Sequence, residues 1–261
     1  ILGKDDVVRK VLLAMAARGH VLLKDVPGTG KTMLARSIAA TIDCTFRRIQ
    51  FTPDLLPMDI TGSNVFNLRT KAFEFQRGPV FTQILLADEV NRAPAKTQAS
   101  LLEAMSDRQV SVDGQTRELP SPFFVLATQN PVESEGTYPL PEAQLDRFLM
   151  HVRVDYPSGD DERAILRLVR GEGRGGPAPR GEPLAPEVVF QAREQVGAVQ
   201  SAEAVERYIV DLVEATRYPE RFEGLKGTIE VGASPRATLA LDRLSRARAW
   251  LEGRDHVLPD D

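Results

Sequence analysis

Five short β-rich runs punctuate the first part of the chain, at residues 20–24, 46–51, 84–88, 123–128 and 149–154, several of them continuously apolar. Continuous apolarity is what a strand buried on both faces of a parallel sheet requires. Between these runs lie stretches with helical spacing of apolar positions, at 7–17, 33–42, 95–107 and 142–148. The alternation predicts a doubly wound α/β domain over residues 1–157. After Tyr156 and Pro157 the strand pattern stops, and helical runs at 160–170, 186–199, 202–217 and 235–252 predict a small all-α domain over 158–261. The last helix has Ser234 as its N-cap, Pro235 in its first turn, and Ala237, Leu241, Leu244 and Leu251 on one side. The glycine-rich stretch 171–181 predicts a flexible loop.

Two insertions interrupt the alternation. Residues 53–78 contain β-like runs at 62–67 and 72–75, and residues 109–120 carry a hairpin signature with Asp113-Gly114 at the turn. Each is either a surface decoration or a partner-contacting loop on a rigid scaffold.

Composition narrows the class. The chain has 261 residues, 42% hydrophobic and 27% charged, as an ordinary globular protein does. No apolar stretch approaches the roughly 18 residues that span a bilayer, and the opening Ile1-Leu2-Gly3-Lys4-Asp5 has no signal-peptide pattern, so the expectation is a cytoplasmic protein without membrane insertion. A single cysteine, Cys44, excludes an internal disulfide, and three scattered histidines argue against a zinc or catalytic-histidine site. The net charge of −4 gives no global attraction to nucleic acid.

The chemistry concentrates at strand ends. Asp25-Val26-Pro27-Gly28-Thr29-Gly30-Lys31-Thr32 follows the first apolar run and precedes a helix opening with Met33, the order that makes a phosphate cradle for ATP or GTP. Gly28 and Gly30 let backbone N–H groups turn around phosphate oxygens, Lys31 adds charge near the β- and γ-phosphates, and Thr32 offers a hydroxyl to Mg2+. The usual first glycine of this motif is Asp25. The third run ends in Asp88-Glu89, where Asp88 can hold Mg2+ while Glu89 orients and deprotonates the attacking water. The fourth is followed by Gln129-Asn130, which sets Asn130 to hydrogen-bond that water or the γ-phosphate.

Longer blocks carry a resemblance. Gly78-Pro79-Val80-Phe81, residues 88–98 (DEVNRAPAKTQ), residues 135–148 (EGTYPLPEAQLDRF) and residues 232–236 (GASPR) resemble the MoxR family of AAA+ ATPases over nearly the whole chain. The resemblance implies a core sheet of strand order 5-1-4-3-2 with a helical lid, ATP as nucleotide, and a ring, usually hexameric, with ATP between neighbouring subunits. On the matching positions, Lys31 and Thr32 belong to Walker A, Asp88 and Glu89 to Walker B, Asn130 to sensor 1, Arg147 to the arginine finger and Arg236 to sensor 2, acting in cis or in trans. Ile1, Leu2 and Gly3 resemble the segment lining the adenine pocket. Family members usually continue with more lid beyond the position of Asp261. The implied function is chaperone-like remodelling or maturation of a partner, including metal-cofactor insertion, with partners that carry a von Willebrand factor A domain. Related motors that act on nucleic acid or in metal chelatases are the rival readings. Arg69 and Lys71 on one insertion favour the nucleic-acid motor, whereas Asp113 and Glu118 at the other weaken it.

Overall fold

A computed structural model describes residues 3–25, 28–129, 136–175 and 181–261, without the side chains of Asp25 and of residues 172–175. Helix α1 (Asp5–Ala16) leads into β1 (Val21–Asp25), α2 (Lys31–Thr41), β2 (Phe46–Gln50) and the single-turn α3 (Pro57–Thr61). A hairpin of β3 (Gly62–Asn67) and β4 (Ala72–Arg77) precedes β5 (Ile84–Asp88), α4 (Ala95–Asp107) and a second hairpin, β6 (Gln109–Val112) with β7 (Gln115–Glu118). The core closes with β8 (Phe124–Gln129), the short α5 (Glu142–Leu145) and β9 (Met150–Val154). Four helices follow: α6 (Gly159–Gly175), α7 (Glu187–Ala198), α8 (Glu203–Arg217) and α9 (Pro235–Leu251).

The five core strands pair in parallel in the order β2-β5-β8-β1-β9, which is the expected 5-1-4-3-2 in core-strand numbering. Side chains alternate between two apolar layers. Leu22, Leu85, Val125 and Ala127 join Leu101 and Leu102 of α4 on one face, while Val21, Leu23, Leu86 and Leu126 join Val11 of α1 and Leu34 and Ile38 of α2 on the other. Every residue of β5 is buried, as its unbroken apolarity requires.

His20 closes the lower end of the sheet. Its Nδ1 accepts from the Val125 amide at 3.0 Å and its Nε2 lies 3.2 Å from the Met105 carbonyl, which fixes a neutral ring with the proton on Nε2. Burial pushes its pKa down to about 4, the Met105 carbonyl offsets part of this, and the charges of Arg108 and Arg193 add to the fall.

The lid docks on α1. Leu13, Ala16 and Ala17 of the core meet Val196 of α7 and Ala247 of α9, and the buried Arg193 donates to the Met15 carbonyl at the C-terminal end of α1, where a cation suits the helix dipole. Ser234 caps α9 by accepting from the Arg236 amide at 3.1 Å. The buried positions of α9 are Ser245, Ala247 and Ala249, whereas Leu241 and Leu251, expected on a packing side, are exposed. Small residues let α9 approach α1 closely, and the leucines are displaced from that contact.

The glycine-rich stretch is corrected in part. Residues 171–175 continue α6 as helix, and 176–180 lie outside the described residues. Glycine costs about 1 kcal/mol per helical position, and a helix already nucleated over three turns can absorb that. The predicted helix at 142–148 shortens to the four residues of α5.

Both insertions form antiparallel hairpins, and Asp113 and Gly114 have the positive φ values, 50° and 74°, of a type I′ turn. The hairpins are fastened together: Asn64 donates to Asp113 at 2.6 Å, and the Arg117 guanidinium lies 3.8 Å from the centre of the Phe75 ring. At the root of the first hairpin, a Cβ on Gly62 would stand 2.2 Å from the Gln76 carbonyl oxygen, and one on Gly78 would stand 2.2 Å from that of Ile60.

Candidate functional site

β1 ends at Asp25 and α2 begins at Lys31, with Gly28 and Gly30 at φ +82° and +84°. Left-handed backbone disfavours any residue with a Cβ, and no atom of the described residues lies within 4 Å of where a Cβ would sit on either glycine. The glycine positions therefore face open space among the described residues, beside the N-terminus of α2, whose amide groups and dipole suit an anion. Lys31 points to the end of β5, its Nζ 3.3 Å from Asp88 Oδ1. Thr32 is half-buried in the same turn and Met33 is exposed. A small cavity beside the loop is lined by Lys4, Val7, Thr29, Gly30, Lys31 and Val154. Gly3, at φ +68°, runs so close to α6 that a Cβ there would meet the Asp161 side chain at 2.5 Å. Ile1, Leu2 and Pro27 lie outside the described residues, as does Asn130.

Asp88 is buried, and its two oxygens have separate partners. Oδ1 accepts from Thr128 Oγ1 at 2.6 Å and faces Lys31, while Oδ2 accepts from Arg48 Nε at 3.2 Å and Nη2 at 2.6 Å. Burial pushes the Asp88 carboxyl up, but hydrogen bonds from Thr128 and Arg48 and the charges of Lys31 and Arg48 outweigh it, holding the group below the usual carboxylate range. Glu89 adopts φ +57°, which turns its side chain out of the strand, and its amide donates to Thr128 Oγ1 at 2.8 Å. Its carboxylate accepts from Gln50 Nε2 at 2.8 Å and from Arg92 Nε at 2.9 Å. Arg48, Gln50, Arg92 and Thr128 are thus site residues that sequence reasoning missed. The one signal for two of them is the polar alternation at 48 and 50 within an otherwise strand-like run.

Arg147 and Arg236 lie elsewhere. β9 runs parallel to β1 with Met150 opposite Val21 and Val154 opposite Asp25. Arg147 precedes β9, so it stands at the edge of the sheet opposite the phosphate cradle, with the length of β1, roughly 13 Å, between them. It donates to the Leu102 carbonyl at 2.8 Å and Ser106 Oγ at 3.0 Å. Arg236 pairs with Asp146 at 3.1 Å, and Ser234 donates to the same carboxylate. Both arginines line one cleft of about 1240 Å³ between core and lid, where the described residues also place Arg18, Arg108 and Arg243 and, as carboxylates, Glu142 and Asp146.

Strand-end oxygen donors beside a phosphate cradle suit Mg2+, a hard cation taken by one or two carboxylates together with substrate phosphates. Asp88 and the Thr32 hydroxyl fit that donor set.

Residues 20–150 match the family model of ATPases associated with various cellular activities (AAA), and residues 225–261 match the AAA lid domain. The whole chain is 47% identical to the uncharacterized protein YeaC of Bacillus subtilis, of which it covers 79%. It is 43% identical to Chaperone MoxR1 of Mycobacterium tuberculosis, covering 69% of that protein, and 35% identical to Protein MoxR of Paracoccus denitrificans, covering 81%. A crystal structure of a candidate ATPase from Cytophaga hutchinsonii superposes with a TM-score of 0.91 at 42% identity, over all of this chain and 79% of that one. With the cradle, the paired carboxylates and the strand order in place, these matches show that the chain belongs to the MoxR family of AAA+ ATPases.

Proposed function

We propose that the chain hydrolyses ATP in a Mg2+-dependent reaction at the interfaces of a ring, usually a hexamer, and uses the cycle to remodel or mature a partner protein. The observation that carries this reading is the separation of Arg147 and Arg236 from the cradle of their own chain. Two guanidiniums on the far edge of the sheet can neutralise transition-state charge only at a neighbour's nucleotide. Five arginines against two carboxylates among the described residues make that cleft attractive to phosphate. Arg236 accordingly acts in trans, beside Arg147.

Within the site, backbone N–H groups of residues 28–32 and Lys31 bind the phosphates, and the loop next to Lys4 and Val7 takes the base. Glu89 accepts the proton of the attacking water, which requires it to leave Gln50 or Arg92. Asp88 and Thr32 would hold Mg2+, which would supply charge neutralisation to the phosphates. Asn130 follows the strand end at Gln129 and is assigned to the water or γ-phosphate.

The first hairpin supports a polypeptide client. Leu68 at its tip is 84% exposed and Phe73 is 72% exposed, beside Arg69 and Lys71. Apolar side chains in water suit an unfolded or extended protein segment better than a phosphate backbone. A client or adaptor with a von Willebrand factor A domain and metal-cofactor insertion are the family-based forms of this proposal. No described helix is long and apolar enough to cross a membrane.

The test is ATP hydrolysis per chain against protein concentration, with Glu89→Gln as the catalytic blank. A specific rate that climbs with concentration and collapses in Arg147→Ala supports shared sites. A rate independent of concentration and indifferent to Arg147→Ala would overturn them.

A further inference from the structure

Arg48 and Gln50 occupy alternate positions on β2 and therefore share one face of the strand. Both reach to the end of β5. Arg48 grips Oδ2 of Asp88 with two nitrogens, and the same Nη2 donates to Gln50 Oε1 at 2.6 Å. Gln50 passes the contact on to Glu89. Asp88 has 4% of its side chain exposed, so charges around it are weakly screened.

We propose that Arg48 is a positioning residue that makes Asp88 take a divalent cation only together with the nucleotide's phosphates. The proposal rests on the reading of Asp88 as a metal-side carboxylate and deepens it. Arg48 holds one oxygen of Asp88 and Lys31 faces the other, so this carboxylate is flanked by two positive charges. A free divalent cation approaching Asp88 meets those two charges, and finds one oxygen saturated by two N–H donors and the other shared by Thr128 and Lys31. A triphosphate reverses the balance by adding several negative charges, and it draws on Lys31. Metal entry is thereby tied to substrate entry. Replacing the guanidinium by a neutral amide leaves one of the two positive charges beside Asp88 and uncovers Oδ2. Lone metal can then occupy the site.

The experiment titrates the full chain with Mn2+, reading free Mn2+ by electron paramagnetic resonance, first without nucleotide and then with a non-hydrolysable ATP analogue, and subtracts the Mn2+ that the analogue binds in a titration without protein. Wild type is expected to take up Mn2+ appreciably only with the analogue. Arg48→Gln should bind Mn2+ without nucleotide at least tenfold more tightly than wild type. Arg48→Lys, which keeps the charge, and Gln50→Ala, which cuts the link to Glu89 but leaves Arg48, should both stay near wild type. A thermal melt of each variant confirms folding. Arg48→Gln binding Mn2+ no more tightly than wild type, or Arg48→Lys behaving like Arg48→Gln, would overturn the role of Arg48 while leaving the metal site standing. If wild type takes up no Mn2+ with the analogue present, the metal reading of Asp88 fails and this proposal with it.

Discussion

Thr128 is the joint on which both catalytic-strand carboxylates hang, and replacing it by valine isolates that joint. The hydroxyl is fully buried; it donates to Asp88 Oδ1 at 2.6 Å and accepts from the Glu89 amide at 2.8 Å. Valine has nearly the same shape, so Thr128→Val opens no cavity, and its cost is the two lost hydrogen bonds. A bond to a charged group contributes about 1.5–3 kcal/mol, and an N–H stranded in the interior costs about 1–3 kcal/mol. The lost bond also weakens the hold on Glu89 at its left-handed φ, so the sum should fall at about 2–4 kcal/mol after the gain from burying a methyl. For a chain of this size that corresponds to a fall in melting temperature of roughly 10 °C. The assay is urea and thermal unfolding without nucleotide at neutral pH, with Thr128→Ser as the control that keeps the hydroxyl. Thr128→Ser should lose about 1 kcal/mol for its missing methyl. If Thr128→Val unfolds within 1 kcal/mol of wild type, or is more stable than Thr128→Ser, the hydroxyl is not the anchor and the reasoning is wrong.

His20 carries a pH signature. Its folded pKa is depressed, so the unfolded chain binds the proton first, and its contribution is complete above about pH 6.5 and lost as pH falls toward 4. Between pH 7 and pH 5 wild type should lose about 2 kcal/mol more than His20→Gln; equal losses in chemical denaturation would remove His20 as the cause. Gly78→Ala should destabilise by more than 2 kcal/mol, because its Cβ would meet backbone atoms of Ile60 and Gly62 that no rotamer change can move; a melting temperature equal to wild type would mean the hairpin root can open. Shortening the first hairpin by deleting residues 67–72 should leave ATP hydrolysis intact and abolish remodelling of a client, and loss of nucleotide binding in that variant would refute this division of labour.

The sheet was legible because its strands are short, several are continuously apolar, and helical patterns separate them. Residues 84–88 and 95–107 match β5 and α4 end for end. Strand order was carried by the family resemblance, since apolarity marks a buried strand without naming its neighbour. The same gap hid Arg48: its partner Asp88 is 40 residues away on the adjacent strand, and only the pairing of β2 with β5 brings them together. α3 has five residues, too few for a helical period to show. α6 ran past its expected end because composition marks a glycine as a breaker, whereas the local cost is small against a helix already formed. The position of Arg236 depends on how the lid folds back across 90 residues to Asp146, which no local pattern encodes.

The two glycines at the root of the first hairpin decide which part of this chain can change independently of the rest. β3 and β4 leave the core through a neck in which Gly62 and Gly78 are pressed against opposing backbone, so the exit point is set by main-chain atoms alone. Everything between residues 63 and 77 hangs from that fixed mount. Its tip, beyond the contacts of Asn64 and Phe75 with the second hairpin, can be exchanged without disturbing the sheet below, which makes the hairpin a replaceable tool head on a fixed mount.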